Sequence, residues 1–347
     1  MSYPVILLFG GTSDERRVSV ASAQNVAEHL PEAKPWFLAP DGAIHVCTRE
    51  ELRSHQQPFE RDFTPSSSPE FRDTRRALDS AVSLRPVFFL ALHGGEGENG
   101  TLQGELEARR IAFTGSGSAA SRRAFDKNEA KRIARAQPGV RLAADATIQT
   151  ADGEGARQTL RRFLELNHAL ILKPVSNGSS IGVHKVRSPQ ELERVLAELS
   201  RGPDTAYLAE TLVQGRELTI GVHQDQDHSY ALPPSEVRVA PDHDFDYEGK
   251  YLGRGSQEIT PAEIPDSATR ASQQLALRMH AALGCEGYSR TDAILTPDGG
   301  IVYLETNTLP GLTRASFIPQ QLAAAGVPFA EFLRAQLEYG LARSRRG

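Results

Sequence analysis

Three groups of residues in this chain have types and spacings that could do chemistry. The first centres on Lys173, which ends a short apolar run from Ala169 to Pro174 and stands just ahead of Val175-Ser176-Asn177-Gly178-Ser179-Ser180. An ammonium anchored on a strand beneath a mobile Ser/Gly loop can clamp a polyphosphate, though taken alone the lysine leaves that question open. The second group is the glycine loops. Gly10-Gly11-Thr12 lacks GxGxxG spacing, and Gly178-Ser179-Ser180-Ile181-Gly182 lacks the Gly-Lys-Ser/Thr ending of a Walker A loop, so each in isolation reads as an ordinary turn. The third group is Asp292, Glu305 and Asn307: the carboxylates lie on successive strands of a hairpin turned by Pro297-Asp298-Gly299-Gly300, and Asn307 follows Glu305 at same-face spacing. Mg²⁺ takes a few such oxygens and leaves its other positions to water and phosphate, so the set suits a metal-nucleotide complex. A solvated hairpin face is the bland alternative. Arg290, on the face of Asp292, and the following Thr308-Leu309-Pro310-Gly311 favour the metal.

The elements around these residues recur in a simple pattern. Val5 to Phe9 is an apolar strand that ends in Gly10-Gly11-Thr12-Ser13 and leads into helical spacing through Val18, Ala21, Val26 and Leu30. Val87 to Leu92 repeats this, running into His93-Gly94-Gly95-Glu96-Gly97-Glu98-Asn99-Gly100 before helical spacing resumes at Leu102 and Leu106. Open α/β domains built this way hold ligands beyond the carboxyl ends of their strands, where both loops would lie. Gly115-Ser116-Gly117-Ser118 reads as a hinge, followed by a helix that holds Asp126-Lys127 and Lys131 and breaks at Pro138-Gly139. Ala169 to Pro174 and Gly182 to Val186 form a hairpin, Tyr207 to Glu210 a strand, and Glu217 to Val222 the first strand of a last unit. That unit holds a long polar loop from about Asp242 to Glu258, a helix from about Ser267 to Leu283 and the Asp292/Glu305 hairpin. The fold class is therefore α/β with α+β character in the later domains, divided at 1–116, 117–210 and 211–347.

Composition narrows the partners. With 39 Lys and Arg against 44 Asp and Glu the formal charge is -5, which gives no general attraction for nucleic acid. The longest apolar stretches fall far short of the ~20 residues that span a bilayer, and no basic segment precedes an apolar one at the start, so a cytoplasmic protein without a membrane partner is expected. Cys47 and Cys285 share no metal or disulfide spacing and read as buried, inert thiols.

Taken in order, His93-Gly94 with Glu98-Asn99-Gly100-Thr101-Leu102-Gln103-Gly104, Asp126-Lys127, Lys173-Pro174 with Gly178 to Gly182, Arg290-Thr291-Asp292, and Glu305-Thr306-Asn307-Thr308-Leu309-Pro310-Gly311-Leu312-Thr313 form a set of motifs. The set resembles the D-alanine:D-alanine ligase family of the ATP-grasp superfamily and covers almost the whole chain. The resemblance implies a three-domain ATP-grasp architecture, with ATP between the central and C-terminal domains, Mg²⁺ or Mn²⁺ as two ions, two D-alanines beside the γ-phosphate, and a homodimer. Carried over residue by residue, Lys127 and Lys173 match phosphate-contacting lysines, and Asp292, Glu305 and Asn307 match the metal ligands. Glu210 and Glu217 match acidic positions on the adenosine side, although an isolated Glu is usually a solvated strand end. Glu15 matches the carboxylate that holds the first substrate's ammonium, where position alone suggests only a charge favoured at a helix N-terminus. Ser179 and Tyr251 match its partners across the site. Arg290 and the Gly311 amide match oxyanion-stabilising positions, and Lys250 and Ser316 match contacts to the second carboxylate. His93 matches a position near the first substrate, but a lone His after a strand is as often structural.

The activity so implied joins two D-alanines through a D-alanyl phosphate for peptidoglycan precursors, with no nucleophilic Ser or Cys needed, because phosphoryl transfer asks mainly for positioning and charge neutralisation. Asn99, Phe125, Thr306 and Phe317 depart from the usual Asp, Met, aliphatic residue and Leu. Only Phe317 bears on specificity, and it keeps open a ligase using D-serine, D-lactate or another amino acid as second substrate. A regulatory protein that binds nucleotide without turnover is a further alternative, against which stands the filling of every phosphate and metal position.

Overall fold

Strands β1 (Val5–Gly10) and β4 (Val87–Leu90) are buried at every position, so neither shows the alternation of a half-exposed strand. Such runs belong to parallel sheets covered on both faces. The structure, a computed structural model describing residues 3–176, 182–203, 205–239 and 256–346, pairs them in parallel. Together with β2 (Lys34–Leu38), β3 (Ile44–Val46) and β5 (Ala112–Phe113) they form a five-stranded sheet in the order β3-β2-β1-β4-β5, in which β3 alone runs antiparallel. The turn out of β1 depends on Gly10: its φ is +95°, and a Cβ there would lie 2.3 Å from the Leu38 carbonyl oxygen. The helix Arg16–His29 follows at once, so the loops after β1 and β4 open at the same edge of the sheet.

A second sheet is antiparallel throughout, in the order β7-β10-β8-β9: β7 (Asp145–Gln149), β8 (Leu170–Pro174), β9 (His184–Val186) and β10 (Ala206–Thr211). The helices Glu154–Asn167 and Pro189–Leu199 bury Leu160, Leu164 and Leu192 against it. The β8–β9 pair is the hairpin expected from the sequence, with Leu170 opposite Val186.

The third sheet carries the chemistry. Its order is β14-β13-β11-β15-β16-β6, with β12 also paired to β11: β6 (Arg141–Leu142), β11 (Arg216–Gln224), β12 (Ser229–Ala231), β13 (Ser235–Val239), β14 (Ser256–Ile259), β15 (Tyr288–Leu295) and β16 (Ile301–Asn307). The polar segment expected as loop to Glu258 thus ends in a strand, because Ser256–Ile259 completes the ladder beside β13. The single helix expected after the hinge is two, Ser118–Phe125 and Lys127–Arg135. Asp126 divides them: its extended backbone stops the first, and its carboxylate accepts the Asn128 and Glu129 amides that start the second. Ala124, Ala130 and Ala134 of this helix pair pack with Met279, Leu283 and Tyr303 of the third sheet's core. The helix Phe329–Arg346 returns to the first sheet, burying Phe332, Leu333 and Leu337. Cys47 and Cys285 are free and buried, and burial pushes both thiols up to about 12, which keeps them inert at neutral pH. Among the described residues no helix is long and apolar enough to cross a membrane.

Candidate active site

The β15–β16 register sets the site's centre. Asp292 lies directly opposite Glu305, and Arg290 opposite Asn307, so the pleat brings all four side chains to one face. Arg290 grips Asp292 with both arms of its guanidinium, Nε to Oδ1 at 3.0 Å and Nη2 to Oδ2 at 2.7 Å, and Thr219 Oγ1 on β11 donates to the same Oδ1 at 2.8 Å. Lys127 Nζ stands 3.5 Å from Glu305 Oε2. Asn307 Oδ1 accepts the Leu309 amide at 2.8 Å, which turns the chain out of the strand and leaves that oxygen a second lone pair. Among the described residues no group of three His, Cys, Asp or Glu could hold a metal ion, and this set is instead two carboxylates and an amide. Its chemistry still fits Mg²⁺, which takes few protein oxygens and could replace the cationic partners that the two acids now have.

Behind the hairpin lies a buried charge cluster. Lys173 is the next-to-last residue of β8 and Glu210 stands on β10 at a diagonal position of the same ladder, in contact with its ammonium. Glu210 also contacts Lys131, one turn along the helix from Lys127. Burial opposes the charge on Lys173, but Glu210, Glu305 and Asp292 outweigh it and raise its pKa above the usual lysine value. Burial likewise opposes ionisation of Glu210, and its two lysines reverse the balance.

The first sheet supplies the opposite wall. Glu15 is the buried residue that opens the helix Arg16–His29, and its Oε2 lies 2.4 Å from where a Cβ on Gly94 would sit; the φ of +65° at Gly94 also favours glycine. Glu98 accepts the Gly94 amide; burial, then Glu15, push its carboxyl up to about 8. Glu15 and Glu98 therefore meet at one glycine. His93, also buried, lies between Ser22 Oγ at 2.9 Å from Nε2 and the Leu309 carbonyl at 2.9 Å from Nδ1. The carbonyl can only accept, so Nδ1 carries the proton and Nε2 takes the Ser22 hydroxyl. Burial lowers this ring to about 4, and it is neutral at pH 7. Ser22 further accepts the Leu312 amide and Asn25 donates to the Leu312 carbonyl, so this wall pins the loop after β16 from both sides. Within that loop Gly311 faces Ser316, whose Oγ would lie 2.7 Å from a Cβ at 311.

Nine of the expected site residues, Glu15, Lys127, Glu217, Arg290, Asp292, Glu305, Asn307, Gly311 and Ser316, line one cleft with about 1190 Å³ of empty space, part of it open solvent. Phe317 and His93 line it too. Lys173 and Glu210 are packed behind it as the charge cluster. Ser179, Lys250 and Tyr251 lie outside the described residues. Sequence reasoning named Glu98 and Lys131 without giving either a role, and did not reach Ser22 or Asn25. Lys131 left a usable signal in its spacing of four from Lys127, whereas Ser22 and Asn25 act through His93 and Leu312, far away in sequence, and Glu98 is pushed up by burial and the distant Glu15.

A family model described as D-ala D-ala ligase N-terminus matches residues 4–116, and one described as D-ala D-ala ligase C-terminus matches residues 138–338. A relative named D-alanine–D-alanine ligase from Leptospira interrogans serogroup Icterohaemorrhagiae serovar Lai is 36% identical over 353 residues, spanning 98% of this chain and 99% of its own. Its namesake in Bordetella petrii is 39% identical over 325 residues, spanning 94% and 88%. Among solved structures, the VanG D-Ala:D-Ser ligase from Enterococcus faecalis superposes with a TM-score of 0.80 at 28% identity, covering 98% of this chain and all (100%) of that one. The D-alanine-D-alanine ligase from Coxiella burnetii gives 0.79 at 23% identity over 99% and 95%, a likeness of fold. The three sheets have the ATP-grasp architecture of these ligases. Matched over nearly its whole length, the chain belongs to the D-alanine–D-alanine ligase family.

Proposed function

We propose that this protein joins two D-alanines at the expense of ATP, yielding D-alanyl-D-alanine, ADP and phosphate for peptidoglycan precursors. Membership of the family over nearly the whole chain supports the reaction. The observation that carries its chemistry is the face on which Arg290, Asp292, Glu305 and Asn307 meet, across the cleft from Glu15.

In the first step a carboxylate oxygen of the first D-alanine bonds to the γ-phosphorus as the β–γ bridging bond breaks, giving D-alanyl phosphate and ADP. Glu15 holds the ammonium of that D-alanine, and Lys127 and Lys173 offset charge on the phosphates. Asp292, Glu305 and Asn307 would hold Mg²⁺, which supplies further neutralisation of the polyphosphate when bound. In the second step the amine of the other D-alanine bonds to the acyl carbon, and the proton it gives up passes to the departing phosphate or to solvent. Arg290 and the Gly311 amide stabilise the tetrahedral oxyanion before the bond to phosphate breaks. Glu217 takes the adenosine side and Ser316 the second carboxylate, with Lys250, Tyr251 and Ser179 completing the site from outside the described residues. Glu210 is assigned with Glu217 to the adenosine side, in contact with the Lys173 ammonium. The protein is read as a cytoplasmic homodimer with units at 1–116, 117–210 and 211–347.

A second reading, with D-serine as second substrate, is favoured by Phe317 in the cleft wall and by the likeness to a D-Ala:D-Ser ligase. Phosphate release with ATP and Mg²⁺ across a panel of D- and L-amino acids and D-lactate, with products identified by mass, tests both. Folded protein that forms no dipeptide with any of them sinks the ligase reading.

A further inference from the structure

Lys131 is among the most deeply buried side chains of the protein, with 1% of its surface exposed, yet nothing in the reaction as derived uses it. Its setting is unusual. Asp145 on β7 and Glu210 on β10 are direct cross-strand partners, an arrangement of like charges that weakens a sheet unless a cation intervenes. Lys131 supplies one, touching Glu210 and standing 3.8 Å from Asp145. Asp145 has a second partner, the guanidinium of Arg135 at 2.6 Å, and Glu210 has a second partner in Lys173. The cluster therefore holds three cations and two anions, with Arg135 answering Asp145 and Lys131 answering Glu210. What remains is the charge on Lys173.

We propose that Lys131 is a positioning residue of the nucleotide site: by neutralising Glu210 it keeps the charge of Lys173 available to phosphate. Without Lys131, Glu210 and Lys173, already in contact, would be left as a neutral buried pair, and the cluster would present no net positive charge. The strength of such a pair at low dielectric would also hold the Lys173 ammonium back from an incoming anion. Geometry gives the same helix a second role. Lys127 reaches Glu305 on the third sheet and Lys131, one turn on, reaches Glu210 on the second, so the helix Lys127–Arg135 ties the two sheets together through these carboxylates.

The inference rests on ATP binding at this site, and the test separates the two. Affinities for ATP and for inorganic tripolyphosphate, which has no base to contact Glu210, are measured by calorimetry in wild type, Lys131→Met, Lys131→Arg, Glu210→Gln and the double variant Lys131→Met/Glu210→Gln. Lys131→Met should weaken both ligands on the order of ten-fold and raise KM for ATP while leaving KM for the first D-alanine in place. Lys131→Arg, which keeps the charge, should lie closer to wild type than to Lys131→Met. The double variant removes the anion as well and should regain most of the lost tripolyphosphate affinity, which a merely structural lysine would not do. Glu210→Gln alone should bind tripolyphosphate more tightly than wild type, and this arm decides the matter if Lys131→Met does not fold. Unchanged affinity in folded Lys131→Met, no recovery in the double variant, or equal or weaker tripolyphosphate binding in Glu210→Gln would each overturn the proposal. Wild type that binds neither ligand would overturn the nucleotide site itself.

Discussion

At the hairpin end of the cleft Asp292 lies against Arg290, Glu305 against Lys127, and Glu210 against Lys131 and Lys173. At the N-terminal end, by contrast, Glu15 and Glu98 meet at Gly94 and the adjoining histidine is held neutral. Both ends are acidic in sequence, but they are suited to opposite ligands. Acids that each have a cation form exchangeable pairs: phosphate can take over the lysines and a divalent ion the carboxylates, with little change in net charge. Here the Glu98 carboxyl, raised to about 8, stays largely protonated at pH 7 and the imidazole beside it is neutral, so the negative charge at this end is that of Glu15, which suits an ammonium and repels phosphate. The cleft thus sorts the amino group of one substrate from the phosphates of the other by charge before any close contact is made.

The comparison breaks most visibly at the hairpin end. Lys173→Met or Glu305→Gln should cut turnover by about 10² or more, since an electrostatic contact of this kind is commonly worth ~3 kcal/mol in the transition state. Phosphate release, with circular dichroism as a check on folding, reads the effect. Wild-type turnover in either variant would remove that residue from the phosphate site. At the other end, Glu15→Gln should raise KM for the first D-alanine by roughly 10- to 100-fold, the worth of a hydrogen bond to a charged group, while ATP affinity stays put. A change in both would show that the two ends are not separate.

A smaller effect concerns pH. Burial lowers His93 to about 4, and His280, whose Nδ1 lies 2.7 Å from Ser289 Oγ behind the third sheet, is likewise lowered to about 4. Unfolded histidine binds its proton near pH 6.5, so between 6.5 and 4 the unfolded chain holds more protons and stability falls as pH falls. Each ring should cost about 2 kcal/mol by pH 5. Glu98 has the opposite sign: its carboxyl is raised to about 8, so its ionisation erodes stability as pH rises from about 4.5. Urea midpoints against pH should flatten on the acid side in His93→Gln and on the alkaline side in Glu98→Gln. Parallel curves for wild type and variants would refute the assignments.

What the sequence made legible follows from how locally each feature is encoded. Strand-face spacing put Glu305 with Asn307 and Arg290 with Asp292, and a Pro-Asp-Gly-Gly turn joined the two strands, so the hairpin site could be read without a fold. The break at Asp126 was missed because a capping carboxylate inside a helical pattern looks like any exposed acid. Glu210 read as an adenosine-side acid, and its two lysines come from a strand and a helix distant in sequence, so no spacing could reveal the cluster. His93 was legible as a histidine after a strand, but its role as a tie between Ser22 and the Leu309 carbonyl depends on a loop more than two hundred residues later.

The least of the expected effects is the one that sharpens substrate choice. Phe317 is the first residue of the helix Phe317–Ala324, 9% exposed, and lines the cleft beside Ser316. Gln321, one turn on, holds that helix to β11 by donating to the Thr219 carbonyl and accepting the Gly221 amide, both at 2.8 Å, so the ring sits on a fixed support. Replacing it with Leu removes ring volume without moving the wall, and a steric change of about a methylene is worth only ~1–3 kcal/mol. In Phe317→Leu the ratio of kcat/KM for D-alanine over D-serine as second substrate should therefore shift by about 10-fold at most. Competition between the two amino acids at pH 7, with dipeptides resolved by mass, measures the ratio. The phosphate end should not register the change, so KM for ATP stays at its wild-type value. An unchanged ratio would remove Phe317 from the specificity set. An altered KM for ATP would instead mean that the helix couples the second-substrate wall to the hairpin, through the hydroxyl of Thr219 that donates to Asp292.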